Sequence, residues 1–384
     1  KLFVKILLNQ KEYLEKYNLL NPNQYGFRKG RSISKALINL IEKMNQCFEN
    51  KEIYTAAFID LSKAFDCVPH DILMRKLYFY NFHPSSVKLI MSYLTNRTQR
   101  TCFNGILSEA SNIAYGVPQG SILGPILFLL FTNDLPSYLQ DGEVTLYADD
   151  TSIGNAGITT EQARAKNKFL VNQSVDWFTA NRLSLNKKKT VTMLFSLKKG
   201  VNDTLTFTKY LGVLIDSELT WKKHGDYIAN KISKNIFLLR NLANKISSKY
   251  LRIAYYSLVN CHLNYGILIW GHSSTLNKLF KLQRRALRIV AGVSYCEDCR
   301  SFFISLNVLT LPCLYIYRCL EYLVNNAQDY RKLSTYHNYK TRSEDLSYNL
   351  LKLTKCKNGT SYFCIKFYNA LPKTFKSLET KMLL

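Results

Sequence analysis

Two aspartates stand side by side in Thr145-Leu146-Tyr147-Ala148-Asp149-Asp150-Thr151-Ser152-Ile153. Adjacent carboxylates repel, and each disfavours ionisation of the other. A turn would account for them, since Asp favours turns; so would a bound cation. A third acid closes the apolar run Tyr54-Thr55-Ala56-Ala57-Phe58-Ile59-Asp60. Acids are scarce, 27 Asp+Glu against 52 Lys+Arg, so few other partners exist for the pair. Asp66 is the alternative, but it lies beyond the strand and suits a cap or a structural pairing. Three carboxylates on one sheet edge are a donor set for two divalent ions about 3.5–4 Å apart, the arrangement that moves phosphate groups past one another.

The elements that must position these acids can be read from periodicity. Val144, Leu146 and Ala148 alternate with Thr145 and Tyr147, the period of a strand, and β-formers resume at Thr151, so a hairpin should turn at the aspartates. Between the two acid sites runs Ala114-Tyr115-Gly116-Val117-Pro118-Gln119-Gly120-Ser121-Ile122-Leu123-Gly124-Pro125. Its glycines and prolines make a shaped loop that backbone can bring close to a ligand. Ser121 should start a helix whose residues from Ile126 to Phe131 are apolar on every face and therefore buried. Gln119, polar and on the loop, suits the sugar or base edge of a nucleotide. Val171, Val175 and Phe178 fall on one stripe of a further helix that should end near Asn181. The lysines of Leu183-Ser184-Leu185-Asn186-Lys187-Lys188-Lys189-Thr190 suit a solvated turn, or one of them a leaving pyrophosphate. Lys209 to Asp216 reads as one short strand interrupted by a glycine.

Composition sets the class. A chain of 384 residues exceeds most single cores, so two or more domains are expected. At 47% hydrophobic it can bury a core. The net charge of +25 calls for a polyanionic partner, nucleic acid before a membrane surface. The apolar run from Ile126 to Phe131 is too short to span a bilayer, and no signal peptide is visible. The opening on Lys1 rather than Met suggests a piece of something longer. From Tyr227 to Tyr295 there is no acid, while Lys231, Lys234, Arg240, Lys245, Lys249, Arg252, Lys278, Lys281, Arg284, Arg285 and Arg288 all fall inside. Helical periodicity there, with Ile236, Leu239 and Ala243 on one stripe, gives either a solvated basic face or one laid along phosphates; the lack of any acid favours the second. Of the ten cysteines, Cys296 and Cys299 alone have C-x-x-C spacing, without a second pair or nearby His for a zinc tetrad.

Six blocks in order resemble the motifs of reverse transcriptases, specifically those of non-LTR (LINE-type), jockey-like retrotransposons. They are "NQYGFRKGRS" from Asn23, "FIDLSKAFDCVPHDIL" from Phe58, "GVPQGSILGPILF" from Gly116, "LYADD" from Leu146, "LSLNKKKT" from Leu183 and "YLGVLID" from Tyr210. Weaker similarity continues through "KLQRRALRIVAG" from Lys281. The resemblance implies an α+β right-hand polymerase: fingers, a palm with an antiparallel sheet, and a helical thumb. Its domains would be a reverse transcriptase domain over 1–225, a basic helical thumb over 226–300 and a C-terminal tail over 301–384. It further implies that Asp60, Asp149 and Asp150 bind two Mg²⁺ ions, or Mn²⁺ in their stead, Asp150 least firmly. Phe65 would be the aromatic gate beneath the incoming sugar, and Gln119 would touch nucleotide and template. Arg28 or Arg31 would lie near the triphosphate, and Lys189 would serve the leaving group. Tyr210, Leu211 and Gly212 would hold the primer end. From the acid-free stretch rather than the resemblance, Arg284 and Arg285 are expected along the nucleic-acid backbone. The expected partners are an RNA template, a DNA primer and deoxynucleoside triphosphates, with no membrane. The oligomeric state is open, and the expected location is intracellular and nuclear. Three rivals stand beside this reading: an RNA-dependent RNA polymerase, a catalytically dead relic that only binds RNA, and a plain nucleic-acid-binding module.

Overall fold

A computed structural model describes residues 13–198, 200–201, 205–331, 345–348 and 350–376. Lys1 and part of the 301–384 region lie outside them. The chain divides into two compact units, one of Lys1–Ala36 with Glu52–Asp203 and one of Leu37–Lys51 with Thr204–Leu384. Helix α1 (Ile33–Glu49) begins in the first and continues in the second.

The first unit is built on a four-stranded antiparallel sheet. Its strands are β1 (Ile53–Ile59), β2 (Glu143–Tyr147), β3 (Asp150–Gly157) and β4 (Val191–Phe195), in the order β2-β3-β1-β4. Every residue of β1 is buried, as expected of a central strand covered on both faces. Its register on β3 pairs Ile53 with Gly157 and Ile59 with Thr151. The β2–β3 hairpin turns at Ala148-Asp149, closing with Tyr147 opposite Asp150. Helices α2 (His70–Phe79) and α3 (Pro84–Leu94) follow β1, and short two-stranded pairings occupy the stretch from Arg97 to Ile113. Helix α4 (Leu123–Thr132) is buried at every residue but Pro125, and Ser121 Oγ accepts from the Gly124 amide at its start. The apolar run from Ile126 to Phe131 dictates the burial, and the Ser121 hydroxyl marks the start.

Helix α5 (Thr160–Ala180) ends at Asn181 as its sequence suggests, but its buried stripe differs from the apolar one. Val175 is exposed, whereas Asn167, Leu170, Ser174, Trp177 and Phe178 are buried. Asn167 turns inward because its Nδ2 donates to the Ile153 carbonyl at 3.2 Å, and Ser174 Oγ donates to the Val171 carbonyl at 2.6 Å. A polar side chain satisfied in this way belongs to the core as fully as an apolar one.

The second unit is mainly helical. The stretch from Lys209 to Asp216, expected as one strand, is part of a hairpin of β5 (Phe207–Tyr210) and β6 (Val213–Asp216). Leu211 and Gly212 both have positive φ, 45° and 78°, and two such residues in succession reverse the chain with the twist strands prefer. Asp216 accepts from the amides of Thr220 and Trp221, capping the entry to α6 (Lys222–Ala243). Helix α6 packs against α7 (Leu276–Ala291), and Ile236 and Leu239 are buried. Among the described residues no helix is long and apolar enough to cross a membrane.

Candidate active site

Strand register brings the first acid to the other two. Ile59 pairs with Thr151, so carrying the antiparallel ladder one residue further sets Asp60 opposite Asp150. Opposed residues share a face of the sheet. The consequence is electrostatic: the Asp150 carboxyl is pushed up to about 6, first by burial, then by the charges of Asp149 and of Asp60. The segment after Phe178 is laced to the same strand end. Ser62 N donates to Ser184 O, Leu61 bridges Leu185, and Asn186 N donates to Asp60 O at 2.9 Å. This lacing carries Lys189 round to Asp60, its Nζ 3.5 Å from Oδ2 with the side chain 70% exposed.

Asp150 feels the other two carboxylates, yet the three do not close into a coordination shell. Among the described residues no three acid, His or Cys side chains converge enough to hold a metal ion. The register and the hairpin turn set the three aspartates at neighbouring strand ends. The donors themselves fit a hard divalent cation, being carboxylate oxygens. The raised Asp150 shows that negative charge there is costly and would be relieved by one. Cys296 and Cys299 are free thiols, one exposed and one buried.

A loop and a tight turn form the flank of the site. Lys63 (φ 49°) leads into the single 3₁₀ turn Ala64–Asp66. Phe65 O accepts from Val117 N, and Val68 O from Gly116 N, both at 2.8 Å. Gly116 is required here twice over: its φ is 86°, and a Cβ would lie 2.6 Å from the Asp66 carbonyl oxygen. His70, buried at the start of α2, donates from Nε2 to Gly116 O at 2.7 Å. Gln119 is exposed, and its Nε2 donates to Asp66 Oδ1 at 2.7 Å. Asp66 therefore pairs structurally. The half-buried Phe65 ring stacks on Phe128 (4.5 Å, 23°) and meets the edge of Phe27 at 6.2 Å. Beside this loop lies a polar groove of about 850 Å³ whose lining includes Lys63, Arg97, Gln99, Tyr115 and Gln119.

The two arginines of the first block part company. The Arg28 side chain is only 6% exposed; it pairs with Glu15 at 2.7 Å and donates to the carbonyl of Asn21. Its guanidinium is committed to contacts within the fold. Arg31 is half-exposed, with its guanidinium over the Tyr25 ring at 5.1 Å. Gln24 went unnoticed in the sequence although it is buried and bonded to the backbone of Gly26 and Ala148. Its only signal is its place in the first block, two residues before Gly26. His70 escaped for a similar reason, since nothing in a lone histidine announces a carbonyl partner.

In the second unit, Tyr210 is buried, and Tyr265 Oη donates to the Leu211 carbonyl at 2.7 Å, anchoring the hairpin turn. A Cβ on Gly212 would approach that hydroxyl to 3.0 Å. Lys231, Lys234, Arg240, Lys245, Lys249, Lys281 and Arg285 are exposed. Arg284 instead lays its guanidinium over the Phe280 ring at 5.1 Å, and Lys278 pairs with Asp226. The basic stretch is thus solvent-facing at most of its charges but not at all of them.

Residues 2–215 match the family described as reverse transcriptase (RNA-dependent DNA polymerase). Among similar proteins, a probable RNA-directed DNA polymerase from transposon BS of Drosophila melanogaster is 31% identical over 337 residues, 81% of this chain and 37% of that protein. The RNA-directed DNA polymerase from mobile element jockey of the same fly is 28% identical, over 82% of this chain and 36% of its own length. This chain therefore spans about a third of the length of the relatives it matches. A solved telomerase from Candida tropicalis, in complex with a fragment of telomeric RNA, aligns with 80% of this chain and 56% of its own at 12% identity and a TM-score of 0.42. The family match covers more than half of the residues, and it takes in the aspartates, the glycine loop and the lysine turn whose geometry is set out above. On that ground the chain belongs to the reverse transcriptase (RNA-dependent DNA polymerase) family.

Proposed function

We propose that this chain carries RNA-directed DNA polymerase activity, extending a DNA primer with deoxynucleoside triphosphates on a retrotransposon RNA template, in the nucleus where the target DNA serves as primer. The observation that carries the proposal is the register that sets Asp60 opposite Asp150 beside Asp149, with Lys189 at its rim. Asp60, Asp149 and Asp150 would hold two Mg²⁺ ions, or Mn²⁺. When bound, such ions favour the deprotonated primer hydroxyl and neutralise charge on the departing pyrophosphate.

The chain's own residues do the rest. Lys189 presents its exposed amine next to Asp60, where it can serve as proton donor to the leaving oxygen. Phe65, steadied by Phe128, offers the sugar a flat face without a hydrogen-bond partner. Gln119 is oriented by Asp66, so its carbonyl faces away from that bond and is available to a nucleotide. Arg31, rather than Arg28, is the basic side chain of the first block that can reach phosphate. In the second unit, the anchored turn at Tyr210, Leu211 and Gly212 would bear on the primer, and Arg285 with its exposed neighbours on the backbone of the duplex.

Primer extension on poly-rA/oligo-dT with Mg²⁺ tests this directly. The unaltered chain should incorporate dTTP, and Asp149→Asn should abolish incorporation while RNA affinity stays within about threefold, because a neutral amide is a poor ligand for a hard cation. Incorporation at the normal rate by Asp149→Asn would refute the assignment.

A further inference from the structure

We propose that Gln24 is a positioning residue for the Asp149-Asp150 turn: its side-chain carbonyl clamps Ala148 in the left-handed conformation that presents the two carboxylates at the strand end beside Asp60. For its effect on rate the inference rests on the polymerase reading given above; for its effect on structure it stands alone.

Ala148 has φ 57°, a region that L side chains avoid, at a hairpin position where glycine is favoured. A strained residue next to two mutually repelling acids persists only if its surroundings hold it. The holder comes from far away in sequence. Asn23 to Tyr25 line up parallel to the edge strand β2: Leu146 N donates to Asn23 O at 2.9 Å, and Tyr25 N to Leu146 O at 2.8 Å. Where the ladder would continue, the chain has already turned at Ala148. There the Gln24 side chain takes over, its Oε1 accepting from Ala148 N at 3.1 Å and from Gly26 N at 2.8 Å.

Two further features point to this carbonyl as what the position needs. Gln24 is 2% exposed, and its Nε2 has no partner among the described residues, so the amide is kept despite one unsatisfied donor. An apolar side chain of the same length would avoid that cost. Gly26 closes the other side: a Cβ there would lie 2.4 Å from Ala148 N. The segment is already tied to β2 by its backbone bonds, so the side-chain bond to Ala148 adds little to attachment and much to the turn.

Gln24→Met removes the acceptor and keeps the volume. We expect amide exchange across Tyr147–Asp150 to quicken about tenfold or more. We expect kcat for dTTP incorporation to fall about ten- to a hundredfold, with KM within about threefold, since a misplaced reacting group costs rate before it costs binding. Ala148→Gly in the same background should recover most of kcat, because glycine adopts positive φ without penalty. Unchanged exchange and kcat in Gln24→Met would overturn the proposal. So would joint loss of kcat and melting temperature that Ala148→Gly does not rescue, which would make Gln24 a plain structural tie. Should Gln24→Met fail to fold, site-resolved exchange on the unaltered chain decides: protection of the Ala148 amide supports the clamp, and exchange at the free-peptide rate refutes it. Absence of extension by the unaltered chain would tell against the polymerase reading, and the exchange result would still decide the clamp.

Discussion

Phe65→Val separates sugar discrimination from packing, and the geometry sets what each should cost. The ring is half-buried, stacked on Phe128 at 4.5 Å and edge-on to Phe27 at 6.2 Å. Removing a fully buried Phe to Ala costs about 3–5 kcal/mol. Valine keeps half the side chain and the site is half-buried, so the packing loss should be about 1–2 kcal/mol, including the stacked pair. That corresponds to a fall in melting temperature of about 2–8 °C for a unit of this size. The sugar effect is separate. A ribonucleotide would bury its 2′-hydroxyl against a ring that offers no partner, at about 1–3 kcal/mol, or about five- to 150-fold in kcat/KM. The assay is the ratio of kcat/KM for dTTP to that for UTP on poly-rA/oligo-dT, with a thermal melt of each protein. Phe65→Val should lower the ratio at least about fivefold while dTTP incorporation falls much less. A ratio unchanged within twofold, beside the expected loss of stability, would reduce Phe65 to a core aromatic. Efficient UTP use by the unaltered chain would turn the reading toward an RNA polymerase.

Other outcomes follow from the same geometry. Arg285→Gln should lower the slope of log affinity for primer–template against log salt by about 0.7–0.9, whereas Arg284→Gln, whose charge lies on Phe280, should lower it less; equal slopes for both and the parent would leave the helix a solvated surface. Gly116→Ala should cost at least about 2 kcal/mol by denaturant melt and raise the KM for dTTP, because it combines positive φ with a clash at Asp66; Gly120→Ala, at φ 74° with open space around it, should cost only about 1 kcal/mol. Burial, and secondarily Lys231, holds His224 down to about 4, with Nδ1 accepting from Leu214 N, so the unfolded chain takes up its proton first. Stability should then be constant above about pH 6.5 and fall as pH drops toward 4, by up to about 3 kcal/mol from this residue. His224→Gln should flatten that limb in acid melts; an equally steep limb would assign it to other groups such as His272, also held near 4 by burial.

The parts of the site that the sequence disclosed are those set by pattern. β1 shows as an apolar run halted by Asp60, the hairpin as alternation broken by a doubled acid, and α4 as a helix apolar all round. What the sequence hid depends on a partner distant in the chain. Arg28 looks like any exposed basic residue until Glu15 and the Asn21 carbonyl claim it. Val175 looks more core-like than Asn167, yet hydrogen bonds to the sheet reverse them. The β5–β6 hairpin is hidden in the sequence because Leu211 is no turn former; the fold imposes its positive φ, with Tyr265 anchoring the carbonyl. Gln24 belongs with these, since its acceptor role exists only once Ala148 has turned.

The pairing of Ile59 with Thr151 has a consequence for how such a chain can change length. The approach of Asp60 to Asp150 is set by the ladder that ends at Ile59 and Thr151, whatever the number of codons between them. The small hairpin from Cys102 to Leu107 can therefore grow or shrink, a place where insertions are absorbed. Within β1 or β3 a single inserted residue would shift one acid by a rung and turn its side chain to the opposite face of the sheet. In a lineage accumulating small insertions and deletions, length variation should gather in the first region and be purged from the strands.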